Sequence, residues 1–261
     1  MTVVSFKDIL STKNNLAPSQ LEVLDFPNHN FKFVKDFLTR KLVKSDNGHE
    51  VGSTNYISQS PKKFFKAKAL TSTSYLPDFT PGSTEFIRPQ VFVDYGLKKD
   101  DILISKDSNI GEVIILDKDY PDHMPSGAIY RLPVEENKYY LLAFMKSSVV
   151  KDQLDTMVPK GATIRHAKTL FLDCKVPLPN QTNADEVIAY VENMMRLIID
   201  KEKAIQEKKL AINNLIDHEL GMDDDSDFTY KSTTLSDLLH EKRLDTGLYG
   251  KEYQKVYNKI I

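Results

Sequence analysis

Hydrophobic positions are most regular between Asn183 and Leu220, a stretch free of Gly and Pro. Apolar residues recur at Val187, Val191, Met194, Ile198, Ile205, Ile212 and Leu215. With Lys201 and Lys208 admitted to the gaps, the steps alternate between three and four, which predicts one face of a long helix. Ala184, Val191, Ile198, Ile205 and Ile212 fall seven apart, an a-type coiled-coil seam. Ile188, Met195 and Ile216 widen the stripe on one flank. Asn183 can cap the start, Asp185 and Glu186 complement the dipole of the first turn, and Gly221 suits the left-handed stop. Such a rod is about 55 Å long. A seam of this length predicts a partner helix, with Lys201 and Lys208 loosening its middle and selecting register. The alternative is a surface helix lying on its own domain.

Ahead of the rod the pattern is shorter and mixed. Residues 1–30 hold small apolar groups broken by Asn, Pro and Ser. Phe31, Phe33 and Val34 read as the start of a strand or helix at a domain edge, and Asp46-Asn47-Gly48 as a turn. Gly52 to Pro81 is loop-rich. Phe86, Val91 and Val93 alternate like a strand, and two β-branched runs around SKDSNIG predict a hairpin. Met124 to Pro133 predicts one short strand. Tyr139 to Asp155 predicts one helix, with Leu141, Leu142, Met145, Val149 and Leu154 on its apolar side. A basic loop, Pro159 to Lys168, leads to a final strand over Leu170 to Pro179. The fold class is α+β. A globular recognition domain spans 1–180, the helix 181–221, an acidic linker 222–231, and a short C-terminal segment 232–261.

Composition narrows the function. The formal net charge is −2, yet the acidic excess lies after residue 180 and a slight basic excess before it. Local nucleic-acid patches are therefore permitted but not demanded. Lys62, Lys63 and Lys66 surround Phe64 and Phe65, a mixture that holds phosphates while rings meet bases or sugars; a solvated loop with two anchoring Phe is the plainer reading. Ser105, Lys106 and Ser108 in the hairpin turn, and Lys160, Thr163, Arg165, His166 and Lys168 in the basic loop, are further candidates. Asp107 only repels phosphate and belongs to the turn. Cys174, the single Cys, sits in an apolar run, suits a reducing cytoplasm and reads as a buried strand residue. No apolar run is long enough for a membrane span, and the N-terminus lacks the shape of a signal peptide. The six His show no zinc spacing, and no phosphate-binding loop, GxSxG or (N/D)PP(Y/F) motif occurs. Neither catalysis nor a metal is expected.

The order DILISKDSNIGEV, YYLLAFMKSS, PKGATIRHAKTLFLDCKVPLP and then a Glu/Lys-rich helix ending IDHEL resembles the specificity subunit of type I restriction–modification systems. The likeness is good over about residues 85–220 and looser over 30–85. Asp100-Asp101 stands where that family commonly has Gly-Asp, and Pro179 to Asn183 replaces its usual opening of the helix. EKRLDTGLYGKEYQKVYNKI resembles the opening of a second recognition domain, so the chain is similar to a half-subunit or truncated form. The resemblance implies a non-catalytic subunit that reads one half of a split double-stranded DNA target. It also implies modification (methyltransferase) partners that carry S-adenosylmethionine, with no cofactor on this chain, and a restriction subunit as a further partner. A half-subunit recovers a two-site reader by homodimerising through the long helix. The rival reading is a coiled-coil adaptor that binds protein alone.

Overall fold

A computed structural model describes residues 30–158, 167–180 and 182–220. The chain forms two compact units, Met1–Lys203 and Ala204–Ile261. In the first, eight short strands are described: β1 (Phe31–Phe33), β2 (Lys63–Phe65), β3 (Thr84–Phe86), β4 (Ile102–Ser105), β5 (Val113–Ile115), β6 (His123–Pro125), β7 (Ile129–Leu132) and β8 (Lys175–Pro177). Three helices are described: α1 (Lys138–Lys146), α2 (Ser148–Met157) and α3 (Ala184–Leu220), the last continuing into the second unit. The mixture of helix and strand with one long helix is the expected fold class.

The sheets are small. β1 pairs antiparallel with β8; β2 is flanked by antiparallel β3 and parallel β6; β4 is flanked by antiparallel β5 and β7. Every residue of β4 and β5 is buried. Ile102, Ile104, Val113 and Ile115 face a core shared with α1, α2 and Phe171, while Leu103 and Ile114 face a second core with Phe65 and Leu70. Burial on both faces explains why ILIS and VII are continuous apolar runs rather than alternating ones. Successive residues of β2 likewise serve different cores, Phe64 against Ile87 and Met124, and Phe65 against Leu103.

Four expectations need correction. The helix over 139–155 is two helices, because Ser147 adopts an extended conformation and its hydroxyl and amide both donate to the Phe144 carbonyl. That break shifts the apolar face by one residue, so Val150 is buried where Val149 was expected. Met124 to Pro133 holds two strands in different sheets, β6 and β7. Beyond Phe86 the alternation breaks at Pro89, which starts a 3-10 turn and leaves Val93 exposed. Leu170–Asp173 is a 3-10 turn, and only Lys175–Pro177 is strand, with buried Cys174 just ahead of it.

One close contact holds the segment 40–49 to the body, and a buried ion pair fixes its own shape. The Gly48 amide donates to the Ile129 carbonyl at 2.9 Å, and a Cβ on Gly48 would lie 2.1 Å from the Ser126 carbonyl oxygen. The carboxylate of Asp46, only 1% exposed, accepts both Arg40 guanidinium nitrogens at 2.6 and 2.7 Å and the Val43 amide at 2.8 Å. The Arg40 hydrogen bonds hold that carboxyl below its ordinary value of 3.8.

Gly48→Ala is expected to destabilise the fold by about 1–3 kcal/mol in denaturant titration, from backbone overpacking. Gly52→Ala, whose Cβ meets nothing closer than 3.7 Å, is expected to stay within about 0.5 kcal/mol. Arg40→Ala is expected to lower the melting temperature at about pH 7. Asp46 contributes stability above its unfolded value of 3.8 and loses it as pH falls through the lower folded value. The gap between variant and wild type should therefore narrow in melts on the acid side of that window.

Candidate nucleic-acid interface

The hairpin between β4 and β5 turns through Lys106 to Glu112. The Ser105 amide donates to Glu112 and the Gly111 amide to Ser105, at 2.8 and 2.9 Å. Ser105 is fully buried and its hydroxyl donates to the Asp107 carbonyl at 2.8 Å. It shapes the turn and does not face a ligand, which corrects its expected role at DNA. Ser108 is exposed in the left-handed region, at φ 65°. Lys106 pairs with Asp107 at 2.6 Å and lies over the Tyr130 ring at 5.9 Å.

Two further segments meet this turn. The Ala167 amide donates to the Lys106 carbonyl at 2.8 Å, which brings the end of the basic loop to the hairpin. Lys168, next in the chain, is exposed and left-handed, at φ 48°. Lys160, Thr163, Arg165 and His166 lie outside the described residues. From the other side, Asn47 bridges to Tyr130, the ring that Lys106 covers. The preceding 3-10 turn and its approach present Lys44 and Lys41, both exposed. These two lysines were missed. Their signal was the cation run in KDFLTRKLVK, but nothing in it said that Arg40 would be locked by Asp46 while Lys41 and Lys44 have no carboxylate partner among the described residues.

The second candidate group occupies the β3-β2-β6 sheet. Lys62 pairs with Asp122 at 2.6 Å and covers Phe92 at 4.3 Å. Lys66 pairs with Glu85 at 2.6 Å and covers Tyr56 at 5.3 Å. Lys63 has no carboxylate partner among the described residues and lies 5.6 Å from the half-exposed Phe86 ring. Lys63, Phe86, Phe79 and Thr84 line an open groove of about 340 Å³. Behind it, His123 stacks on Phe79 at 4.7 Å and against Tyr120 at 5.1 Å. Burial, and then the nearby Lys63 charge, pull His123 down to about 4. It is neutral near pH 7 and offers no charge to phosphate. The expected mixture of lysines and rings is therefore present, but the two Phe expected to share it, Phe64 and Phe65, are core residues.

The two groups are on separate sheets joined by a short connection. The Ser126 amide donates to Phe65 at 2.9 Å, and the Lys106 amide to Ala128 at 2.8 Å. Among the described residues no cluster of three or more His, Cys, Asp or Glu could hold a metal, and no helix is long and apolar enough to cross a membrane. The Cys174 thiol is buried, which pushes it up to about 12 and leaves it unreactive.

The long helix divides its faces. In the first unit, Met195 and Ile199 are buried in the main core, with Ile188 and Val191 packed beside them. Val187 is half-buried, whereas Met194 and Ile198 are exposed, together with Tyr190 and Leu197. In the second unit, Ile205, Ile212 and Leu215 are exposed, by 53–60%. The helix packs on its own domain through the flank of the stripe, and most of the heptad seam stays open.

The sequence matches, over residues 1–209, the family model for the type I restriction modification DNA specificity domain. No curated protein matches the chain. Among solved structures, it is similar to the type I restriction-modification S subunit from M. genitalium, at 13% identity and TM-score 0.45, over 84% of this chain and 50% of that one. It is similar to the HsdS subunit from Thermoanaerobacter tengcongensis at 14% identity and TM-score 0.41, over 77% and 46%. A chain from a structure describing complex assembly and conformational transition of the type I R-M system matches at 16% identity and TM-score 0.39, over 80% and 51%. The chain spans about half the length of these solved structures.

Proposed function

Because the chain belongs to the type I restriction–modification DNA specificity family, we propose that it is the DNA-reading, non-catalytic subunit of a cytoplasmic modification complex. It reads one half of a two-part duplex target, and two copies joined along α3 supply both halves. The family match over residues 1–209 carries this reading. The exposed lysines around the hairpin turn and the open apolar seam of α3 support it.

In this reading the duplex lies along the Lys106 turn. Ser108, Lys168, Lys41 and Lys44 meet its backbone, and Lys160 and Thr163 are assigned the same role. Arg165 and His166 reach base edges, since a guanidinium pairs bidentately with guanine O6 and N7. Lys63, without a carboxylate partner among the described residues, holds phosphate; Lys62 and Lys66 do so while shared with Asp122 and Glu85. S-adenosylmethionine belongs to modification subunits bound along α3, and a restriction subunit joins them.

The test is duplex binding by the chain with the modification subunit of the same source, across a salt series. Lys63→Ala is expected to weaken cognate and random duplexes alike and to flatten the salt slope by about one unit. Arg165→Ala is expected to lose about 1–3 kcal/mol of discrimination at one base pair. Equal losses on cognate and random duplex from both changes contradict this division. No sequence-dependent binding at all leaves the protein-only adaptor as the reading.

A further inference from the structure

Within the first unit, α3 is attached to the body in two chemically different ways. Up to Ile199 the attachment is apolar, through Met195 and Ile199 in the main core. One turn on, Glu202 reaches the loop between the 3-10 turn Ala67–Ala69 and β3. One carboxylate oxygen accepts the Ser74 hydroxyl, and the other accepts the Tyr75 amide at 3.0 Å. Lys203 stands 3.6 Å from Asp117. Apolar packing is non-directional and tolerates rolling of a helix on its bed. A carboxylate shared between a hydroxyl and an amide of consecutive residues fixes both roll and register.

The loop that Glu202 grips is pinned from its other side. The Ile115 amide donates to the Tyr75 carbonyl at 2.8 Å. Lys146, nearly buried on α1, donates to the carbonyls of Thr71 and Val113, the latter at 2.9 Å, and stands 3.6 Å from Glu112. Val113 and Ile115 form β5, the return strand of the hairpin whose turn carries Lys106 and Ser108. Hydrogen bonds thus run from the stem of that hairpin, through residues 71–75, to α3.

We propose that Glu202 is a positioning residue that fixes the roll and axial register of α3 on the recognition body and thereby sets the number of base pairs between the two halves of the target. This rests on the two-part reader proposed above. In such a reader the separation of the heads selects the spacer. Duplex DNA rises about 3.4 Å per base pair, so a slip of each head along α3 by about half that rise is enough to admit a neighbouring spacer. The half-site sequences, read at the hairpin edge, are untouched.

The full chain is co-expressed with the modification subunit of the same source in a host without competing methylation, and methylated sites are mapped by sequencing. The wild type is expected to mark two half-sites at one spacing. Glu202→Ala is expected to mark the same half-sites but to raise sites one base pair longer or shorter about tenfold, with amide exchange at Tyr75 also about tenfold faster. Glu202→Gln, which keeps one acceptor oxygen, should fall between. Gln153→Ala removes the buried amide that binds the Lys175 backbone at 2.8 and 2.7 Å, destabilises the body away from this loop and should leave the spacing unchanged, separating positioning from general stability. An unchanged single spacing in Glu202→Ala, with Tyr75 exchange accelerated, overturns the proposal; unchanged Tyr75 exchange overturns the clamp itself. A wild-type complex that marks no two-part site overturns the proposed function and the spacer role with it, an outcome distinct from either of the others.

Discussion

The seating of Met195 and Ile199 in the main core is the contact on which the rest depends. Burying two such side chains is worth about 1.5–3 kcal/mol each. It makes the first turns of α3 part of the recognition body rather than a tether to it. Because the buried flank is Ile188, Val191, Met195 and Ile199, the neighbouring face with Tyr190, Met194, Leu197 and Ile198 is left uncovered. One stripe is wide enough to serve a domain on one side and a partner on the other. A surface helix on its own domain and a helix with an open seam are both realised in these turns.

The charges at the candidate interface follow a similar economy. Lys62, Lys66, Lys106 and Arg40 each face a carboxylate within 2.6 Å. Lys63, Lys41 and Lys44 do not, among the described residues. Surface pairs of this kind contribute little to stability, but they lower the field that a passing duplex would meet. A chain of net charge −2 that binds DNA must rely on a few free cations close together. The turn at Lys106 gathers three segments distant in sequence, around residues 41–47, 106–108 and 167–168.

Much of this architecture is legible along the chain where the physics is local. The β4–β5 hairpin was legible because β-branched runs bracket a polar turn, and α3 because its apolar spacing persists. The break at Ser147 was not, because its cause is a hydroxyl and an amide turning back to Phe144, while the apolar spacing runs on across it. The division of Met124 to Pro133 between two sheets was hidden as well, since β6 pairs with β2 and β7 with β4, partners far away in sequence. At the interface, residue types were legible but states were not. Ser105 looks like a surface hydroxyl until Asp107 takes its proton donor. Lys62 looks free until Asp122 arrives from sixty residues away. Phe64 and Phe65 look like base-stacking rings until the two cores claim them.

The half-reader account stands most directly on the mass of the chain in solution. Size-exclusion chromatography with light scattering, at roughly tens of micromolar, reads it without knowledge of any DNA target. A mass of two chains is expected, falling to one in Ile198→Lys, whose side chain lies on the open seam and outside the core. A single-chain mass at the highest concentration, unchanged when the modification subunit is added, would contradict it.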